Sequence, residues 1–158
     1  MAGGEHDSTV MRLGTQLQMH VEARNLGDIY TPDTTFQIGA NERLPDLAFV
    51  SAARVPEDGM PEGGGKITDD LAIEVISPDD SWDEVNCKLA AHFAAGAWEV
   101  WLVSPGLRTV NIYISPTRFR ILKEDDELTS EELLPGFHCR VSEIFGQPVS
   151  EDAEARIQ

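Results

Sequence analysis

An acid in the middle of an apolar run constrains this chain more than any other feature of its sequence. Residues 71–76 read LAIEVI, and an apolar stretch of that length before a Ser-Pro pair predicts a strand buried on both faces. Because side chains alternate along a strand, Glu74 projects from the same face as Ala72. An ionised carboxylate is costly to bury unless it is paired, hydrogen-bonded or bound to a metal. Glu74 is therefore either a satisfied structural acid or part of a functional site.

The remaining sequence predicts helices and strands around this central strand. Apolar residues at helical spacing predict a helix over 8–25, with Asp7 or Ser8 as the N-cap and Gly27 as the C-cap. The same spacing predicts a second helix over 81–95, with Asp80 or Ser81 as the N-cap. Strands are expected at 45–50, 71–76, 98–103, 108–114 and 118–124, and residues 28–39 are read as two short strands or a hairpin. The stretch 53–70 is expected to be a long exposed loop, 123–127 a solvated turn, and 142–145 a short helical turn.

This order of elements predicts one α/β domain, a mixed β-sheet with helices packed on it. The domain is expected to span 1–146, followed by a disordered acidic tail at 147–158. The sequence contains no run near the roughly 20 apolar residues of a membrane span. It also shows no signal peptide, and Cys87 and Cys139 are read as reduced thiols, so a cytoplasmic location is expected.

The net charge of −16 argues against a general phosphate-binding surface. A chain this acidic that acts on nucleic acid needs divalent cations, a local basic patch or a partner. Asp46 opens another apolar strand, and with Glu74 it could hold Mg²⁺, which prefers oxygen ligands; a backbone carbonyl near Val75 could add one more. Taken alone, Asp46 is better explained by ordinary turn chemistry, because a Pro-Asp pair before a strand is common.

Lys88 lies 14 residues after Glu74, on the predicted second helix. Helical spacing puts it in a stripe with Glu84, at the border of an apolar face that includes Val85 and Leu89. In isolation this is also the pattern of a snorkelling lysine, whose stem packs while its ammonium stays in water.

Four segments occur in a characteristic order: RLPDLAFV, DDLAIEVISPDDSWDEVNCKLAAHFAAGAWEVWLVSP, RTVNIYI and LLPGFHCRVSEIF. Together they resemble the Uma-type family of bacterial restriction endonucleases, within the PD-(D/E)XK nuclease superfamily, and the resemblance covers most of the chain from 6 to 145. The resemblance implies a restriction-endonuclease-like fold in which acids at strand ends hold Mg²⁺ or Mn²⁺. Asp46 then corresponds to the aspartate of the P-D motif, and Glu74 corresponds to the acid of the (D/E)XK motif.

The chain departs from the family pattern at several positions. The motif lysine would fall at Ile76, and the resemblance assigns its role to Lys88 instead. His92 stands where the family usually has a tyrosine, and Ser104 where it has an aspartate. The usual N-terminal segment is short here, which leaves Glu5 and His6 as candidates for a supporting role at the site, with a frayed terminus as the alternative.

The resemblance implies hydrolysis of phosphodiester bonds in nucleic acid, DNA above all, with Asp46, Glu74 and the Val75 carbonyl as metal ligands and Lys88 as the catalytic cation. Glu99 is expected either to hold Lys88 or a metal-bound water or to form a core salt bridge. The alternative is a degenerate nuclease fold that serves as a binding or assembly module. The tryptophans Trp82, Trp98 and Trp101 could form a homodimer interface, although core packing is their default explanation. Other hydrolase motifs and zinc-like histidine spacings are absent from the sequence.

Overall fold

Six strands form one mixed sheet at the centre of the molecule, and a two-stranded sheet packs beside it. The structure, a computed structural model, describes residues 4–31, 45–55, 57–58 and 68–147. In chain order its elements are α1 (Gly4–Arg24), β1 (Gly27–Tyr30), β2 (Leu47–Ser51), β3 (Leu71–Val75), α2 (Trp82–Ala94), β4 (Glu99–Ser104), β5 (Thr109–Ser115), β6 (Arg118–Leu122), β7 (Glu127–Ser130), β8 (Leu134–Arg140) and α3 (Val141–Phe145).

The strand order of the large sheet is β1-β2-β3-β4-β5-β6. Only β3 and β4 are parallel, and α2 is the crossover between them; the other neighbours are antiparallel. Every residue of β3 is buried, because a helix-bearing layer covers each face of the sheet at this strand. The predictions of a mixed α/β sheet and of a central strand at 71–76 are confirmed.

One face of the sheet packs against α1, the β7–β8 sheet and α3. Leu13, Leu17 and Val21 recur every four residues along α1 and are fully buried against this face, as an amphipathic helix requires. The core they enter also contains Trp101 of β4. Core packing, the default explanation for the tryptophans, therefore holds for Trp101, whereas Trp82 and Trp98 are exposed.

The other face packs against α2. Ser81 and Glu84 form a capping box: the Ser81 hydroxyl accepts from the Glu84 amide at 3.1 Å, and the Glu84 carboxylate accepts from the Ser81 amide at 3.4 Å. The helix then directs Val85 and Leu89 onto the sheet, where Ala72 and Leu102 lie in the same core cluster. Ser81 is thus the N-cap, one of the two predicted alternatives.

The first helix differs from its prediction at both ends. It begins at Gly4, so Asp7 and Ser8 lie inside its first turns, where the Ser8 hydroxyl donates to the Gly4 carbonyl at 2.7 Å. It ends at Arg24, and Asn25 rather than Gly27 takes the left-handed conformation, with φ 52°. The Leu26 amide donates to the Val21 carbonyl at 3.0 Å, which is the hydrogen bond of a Schellman termination.

Two further predictions were wrong. Asp69 and Asp70, placed in an exposed loop, are buried at the start of β3. The β7–β8 sheet was not anticipated: its first strand begins at Glu127, where a solvated turn was expected, and its second covers 134–140.

In the described part of the chain, no helix is both long and apolar enough to cross a membrane. The strand predicted near 35–38 and the tail after Gln147 lie outside the described residues.

Candidate functional site

Asp46 and Glu74 leave two paired strands at neighbouring positions. Leu47 pairs with Ile73 in the antiparallel β2–β3 ladder, so the residue before Leu47 and the residue after Ile73 lie side by side. Asp46 Oδ2 accepts a hydrogen bond from the Val75 amide at 2.7 Å. This bond ties the aspartate to the backbone next to Glu74, at the point where β3 ends.

Glu74 is buried, and its two carboxylate oxygens meet different partners. Oε1 lies 2.9 Å from Nε2 of His92, and Oε2 lies 3.9 Å from the ammonium of Lys88. Both partners come from α2, on successive turns of the helix that covers this face of the sheet. The cost of burying this acid is therefore offset by one direct hydrogen bond and one nearby cation.

Lys88 bridges solvent and the buried acid. Its side chain is 38% exposed, whereas that of Glu74 is only 8% exposed. The stem packs along the edge of the helix and the ammonium turns toward the strand end, so the lysine has the burial of a snorkelling side chain and also approaches an acid of the site. Ile76, at the position where the nuclease motif would carry lysine, is partly buried against the same core.

Three separate pockets lie at these residues. A pocket of about 10 Å³, lined by Glu74, Val75 and Lys88 among others, has room for about one water-sized particle. A larger pocket of about 230 Å³ is lined by His6 and Ile76 and by the segment 77–79. A groove of about 600 Å³ runs along α1 and reaches His6 and Asp46 at one end. Glu74 and Lys88 therefore share the small pocket, whereas Asp46 borders the groove.

The two supporting residues expected from the sequence, Glu5 and His6, differ in whether they contact a predicted metal ligand. His6 lies on the first turns of α1, and its Nε2 is 3.3 Å from Oδ2 of Asp46; it is part of the site and not of a frayed terminus. Glu5 is exposed beside it and lines the 230 Å³ pocket. Both residues thus stand at the Asp46 side of the site, and only His6 contacts a predicted ligand.

Glu99 is not brought to the site. It pairs with Leu71 in the parallel β3–β4 ladder, so it shares the face of Leu71, which is opposite to the face of Glu74, and lies about 10 Å away along the strands. Its carboxylate accepts a hydrogen bond from the Ser130 hydroxyl of β7, and burial raises its pKa despite that bond. Glu99 therefore neither holds Lys88 nor forms an ion pair with a described basic residue.

Sequence reasoning missed two residues next to the site. His92 was noted only as a departure from a family pattern, and Asp69 was assigned to a loop. Both are almost completely buried, and within the described residues neither the Asp69 oxygens nor Nδ1 of His92 have a hydrogen-bond partner. Burial raises the pKa of Asp69, and the nearby His92 charge lowers it only in part. A histidine one helical turn after Lys88 was the available signal, since that spacing puts both on one side of α2.

The Uma2 family model, described as a putative restriction endonuclease, matches residues 1–142. This chain belongs to the Uma2 family. The resemblance read from the sequence is thereby confirmed, and membership indicates a nuclease at the level of the family. No curated protein matches this Uma2 chain.

The fold of this Uma2 protein also occurs in a solved structure. The crystal structure of a putative nuclease belonging to DUF820 from Anabaena variabilis has a TM-score of 0.80 and 21% sequence identity, and the match covers 92% of this chain and 82% of that one. Agreement over almost the whole chain at that identity shows that the two proteins share a fold.

The residues present fit a hard divalent cation in donor type but supply few ligands. Asp46 and Glu74 offer carboxylate oxygens and Val75 a carbonyl, which are the donors that Mg²⁺ prefers while it keeps several waters. Among the described residues, no three His, Cys, Asp or Glu side chains are grouped so that they could hold a metal ion. A cation at this Uma2 site would therefore complete its shell with water and substrate oxygens.

Proposed function

We propose that this Uma2 protein is a metal-dependent endonuclease that hydrolyses phosphodiester bonds of DNA. The observation that supports the proposal is the approach of a second acid and a lysine to Glu74. Asp46 before β2 is hydrogen-bonded to the backbone that follows Glu74 in β3, and Lys88 of α2 extends to 3.9 Å from Glu74 Oε2. Two acids at strand ends and a lysine are the set implied by the nuclease superfamily that the sequence resembles.

The protein's own groups would have separate tasks. Asp46, Glu74 and the Val75 carbonyl would hold Mg²⁺ or Mn²⁺, and the cation would polarise the scissile phosphate and acidify water. Lys88 would place a positive charge where negative charge accumulates on the phosphate oxygens in the transition state. His6 would hold Asp46 through the 3.3 Å contact with Oδ2. The net charge of −16 supports a need for cations, because DNA would otherwise be repelled.

Lys88→Met tests the catalytic cation. Methionine keeps most of the unbranched stem and removes the ammonium, so the fold and the carboxylates should be preserved while charge stabilisation is lost. Loss of a group that acts on the transition state costs on the order of 100-fold or more in kcat. We expect plasmid nicking in Mn²⁺ by wild type, and a loss of that order for Lys88→Met, measured as initial rates at equal protein concentration.

The matched control is Lys123→Met. Lys123 is an exposed lysine that follows β6, and β4 and β5 separate β6 from β3, so its loss should leave the nicking rate near that of wild type. Equal nicking by Lys88→Met and wild type would contradict the proposed mechanism. Nicking by neither wild type nor control in Mg²⁺ or Mn²⁺ would contradict the proposed activity as a whole.

A degenerate nuclease fold that only binds or assembles is the second candidate. Among the described residues, no three metal-binding side chains are grouped so that they could hold a metal ion, which favours this second candidate. The excess of acidic residues favours it as well. This candidate predicts that wild type binds no divalent cation and nicks no DNA, and that Lys88→Met behaves as an ordinary surface substitution, with a change in stability within about 0.5 kcal/mol.

A further inference from the structure

His92 is the most deeply buried of the polar side chains that face the candidate site. Its exposure as a whole residue is 0%, compared with 6% for Glu74 and 1% for Asp69. It comes from α2, four residues after Lys88, and its ring touches the acid of β3 rather than solvent. A buried imidazole in contact with a candidate metal ligand needs a chemical reason, because an apolar residue would fill the same volume without a desolvation cost.

The direction of the His92–Glu74 hydrogen bond follows from donor chemistry. An ionised carboxylate can only accept, so Nε2 at 2.9 Å from Oε1 must carry a proton and donate it. One carboxylate oxygen is thereby occupied by the protein. The other, Oε2, lies 3.9 Å from the ammonium of Lys88, and both residues line the pocket of about 10 Å³.

We propose that His92 is a positioning residue that fixes the Glu74 carboxylate, so that Oε2 is the single oxygen presented to a cation. The inference rests on the proposed function, since it assigns how Glu74 would bind metal. Without the Nε2 donor the carboxylate can rotate about its last side-chain bond, and its two oxygens become interchangeable. Groups that orient a ligand from outside the metal shell typically contribute about 10- to 100-fold in metal affinity.

The contact with Glu74 is the one side-chain hydrogen bond that His92 makes among the described residues. Nδ1 of His92 is buried without a partner there, and so are both oxygens of Asp69. The charge of His92 lowers the pKa of Asp69 in part, but the ring is held by Glu74 and not by Asp69.

The test compares His92→Gln with His92→Met. Glutamine and methionine are similar in length and volume, but only the glutamine amide can donate to Oε1. Mn²⁺ affinity measured by titration calorimetry should stay near wild type in His92→Gln and fall about 10- to 100-fold in His92→Met. A role in packing alone predicts that both variants lower the melting temperature and that both bind Mn²⁺ as wild type does; this result would overturn the inference.

A second measurement can be made on the wild-type protein, so it does not require His92 variants that fold. Long-range ¹H–¹⁵N spectra of the metal-free wild type should show the His92 ring protonated at Nε2, and Lys88→Met should leave that signal unchanged. A proton on Nδ1 alone would overturn the inference. If the wild type binds no Mn²⁺, both the proposed function and this inference are wrong. If wild type and His92→Met bind Mn²⁺ with equal affinity, only this inference is wrong.

Discussion

At the scale of single residues, three acids in the described part of the chain are buried near β3, and they differ in which groups compensate their charge. Glu74 has His92 and Lys88, and Asp70 accepts from the Ser51 amide at 2.7 Å and lies 3.3 Å from the Arg54 guanidinium. Asp69 has no such partner among the described residues. A buried acid of this kind destabilises the fold when it is ionised, and such groups recur at functional sites.

The pH dependence of stability should reveal the cost of Asp69. Burial is the largest cause that raises its pKa above 3.8; the Asp70 and Glu74 charges add to it, and the His92 charge opposes it. The folded state therefore binds this proton more tightly than the unfolded state, and stability falls as pH rises from about 3.8 through the raised pKa. Asp69→Asn removes this penalty, so its melting temperature should exceed that of wild type by a margin that grows from pH 4 to pH 7.

Asp70→Asn is the control, because it removes a carboxylate that is hydrogen-bonded and ion-paired. Its melting temperature at pH 7 should fall below that of wild type, since a buried pair is broken. A margin for Asp69→Asn that is constant with pH, measured by scanning calorimetry, would show that ionisation of Asp69 is not the source of the effect.

At the scale of elements, the best-predicted ones are those whose signals lie within their own residues. The β3 strand is an uninterrupted apolar run apart from Glu74, and α2 carries its own capping box at Ser81. The β7–β8 sheet lacks such a signal, because its strands follow an acidic turn and contain Pro135 and Gly136. They pair only because Leu128, Leu134 and Phe137 find a core to enter between α1 and the large sheet.

The reactivity of the Cys139 thiol tests the packing of the β7–β8 sheet. Burial in β8, with the Glu143 and Glu127 charges nearby, raises the pKa of Cys139 to about 12, whereas Cys87 on α2 is exposed. Because the thiolate is the reactive form, iodoacetamide at pH 8 should alkylate Cys87 and leave Cys139 unmodified until denaturant is added. Peptide mass mapping distinguishes the two sites, and comparable labelling of both in the native protein would contradict the packing of β8.

At the scale of the whole molecule, the excess of negative charge couples stability to cations. The chain carries 28 acidic and 12 basic residues, so general screening by salt is expected to stabilise it. A specific divalent site adds to this effect, since a ligand that binds only the native state stabilises it by about 2.7 kcal/mol at 100 times its Kd. The two contributions can be separated at constant ionic strength.

Mn²⁺ should raise the melting temperature of wild type relative to KCl of equal ionic strength, by roughly 2–4 °C for each kcal/mol of stabilisation. Glu74→Gln keeps the volume and the hydrogen-bonding reach of the side chain but removes the ligand charge, so the specific increase should disappear. Differential scanning calorimetry measures both. The same Mn²⁺ increase in Glu74→Gln and in wild type would place the bound cation elsewhere.

The sequence by itself determined the strands of the six-stranded sheet, the crossover helix and the candidates Asp46, Glu74 and Lys88. These depend on periodicity, caps and ordered motifs, all of which are properties of neighbouring residues. It also indicated His6, although its helix begins four residues before the predicted start, so His6 lies within α1 rather than at a frayed end.

Only the tertiary structure decided which polar groups meet. The parallel register of β3 and β4 puts Glu99 on the face opposite to Glu74, and a one-residue difference in register would reverse that face. His92 became a neighbour of Glu74 because α2 packs on the face of the sheet from which Glu74 projects. Such proximity joins residues far apart in the chain and is set by the packing of helix on sheet, which local sequence patterns do not encode.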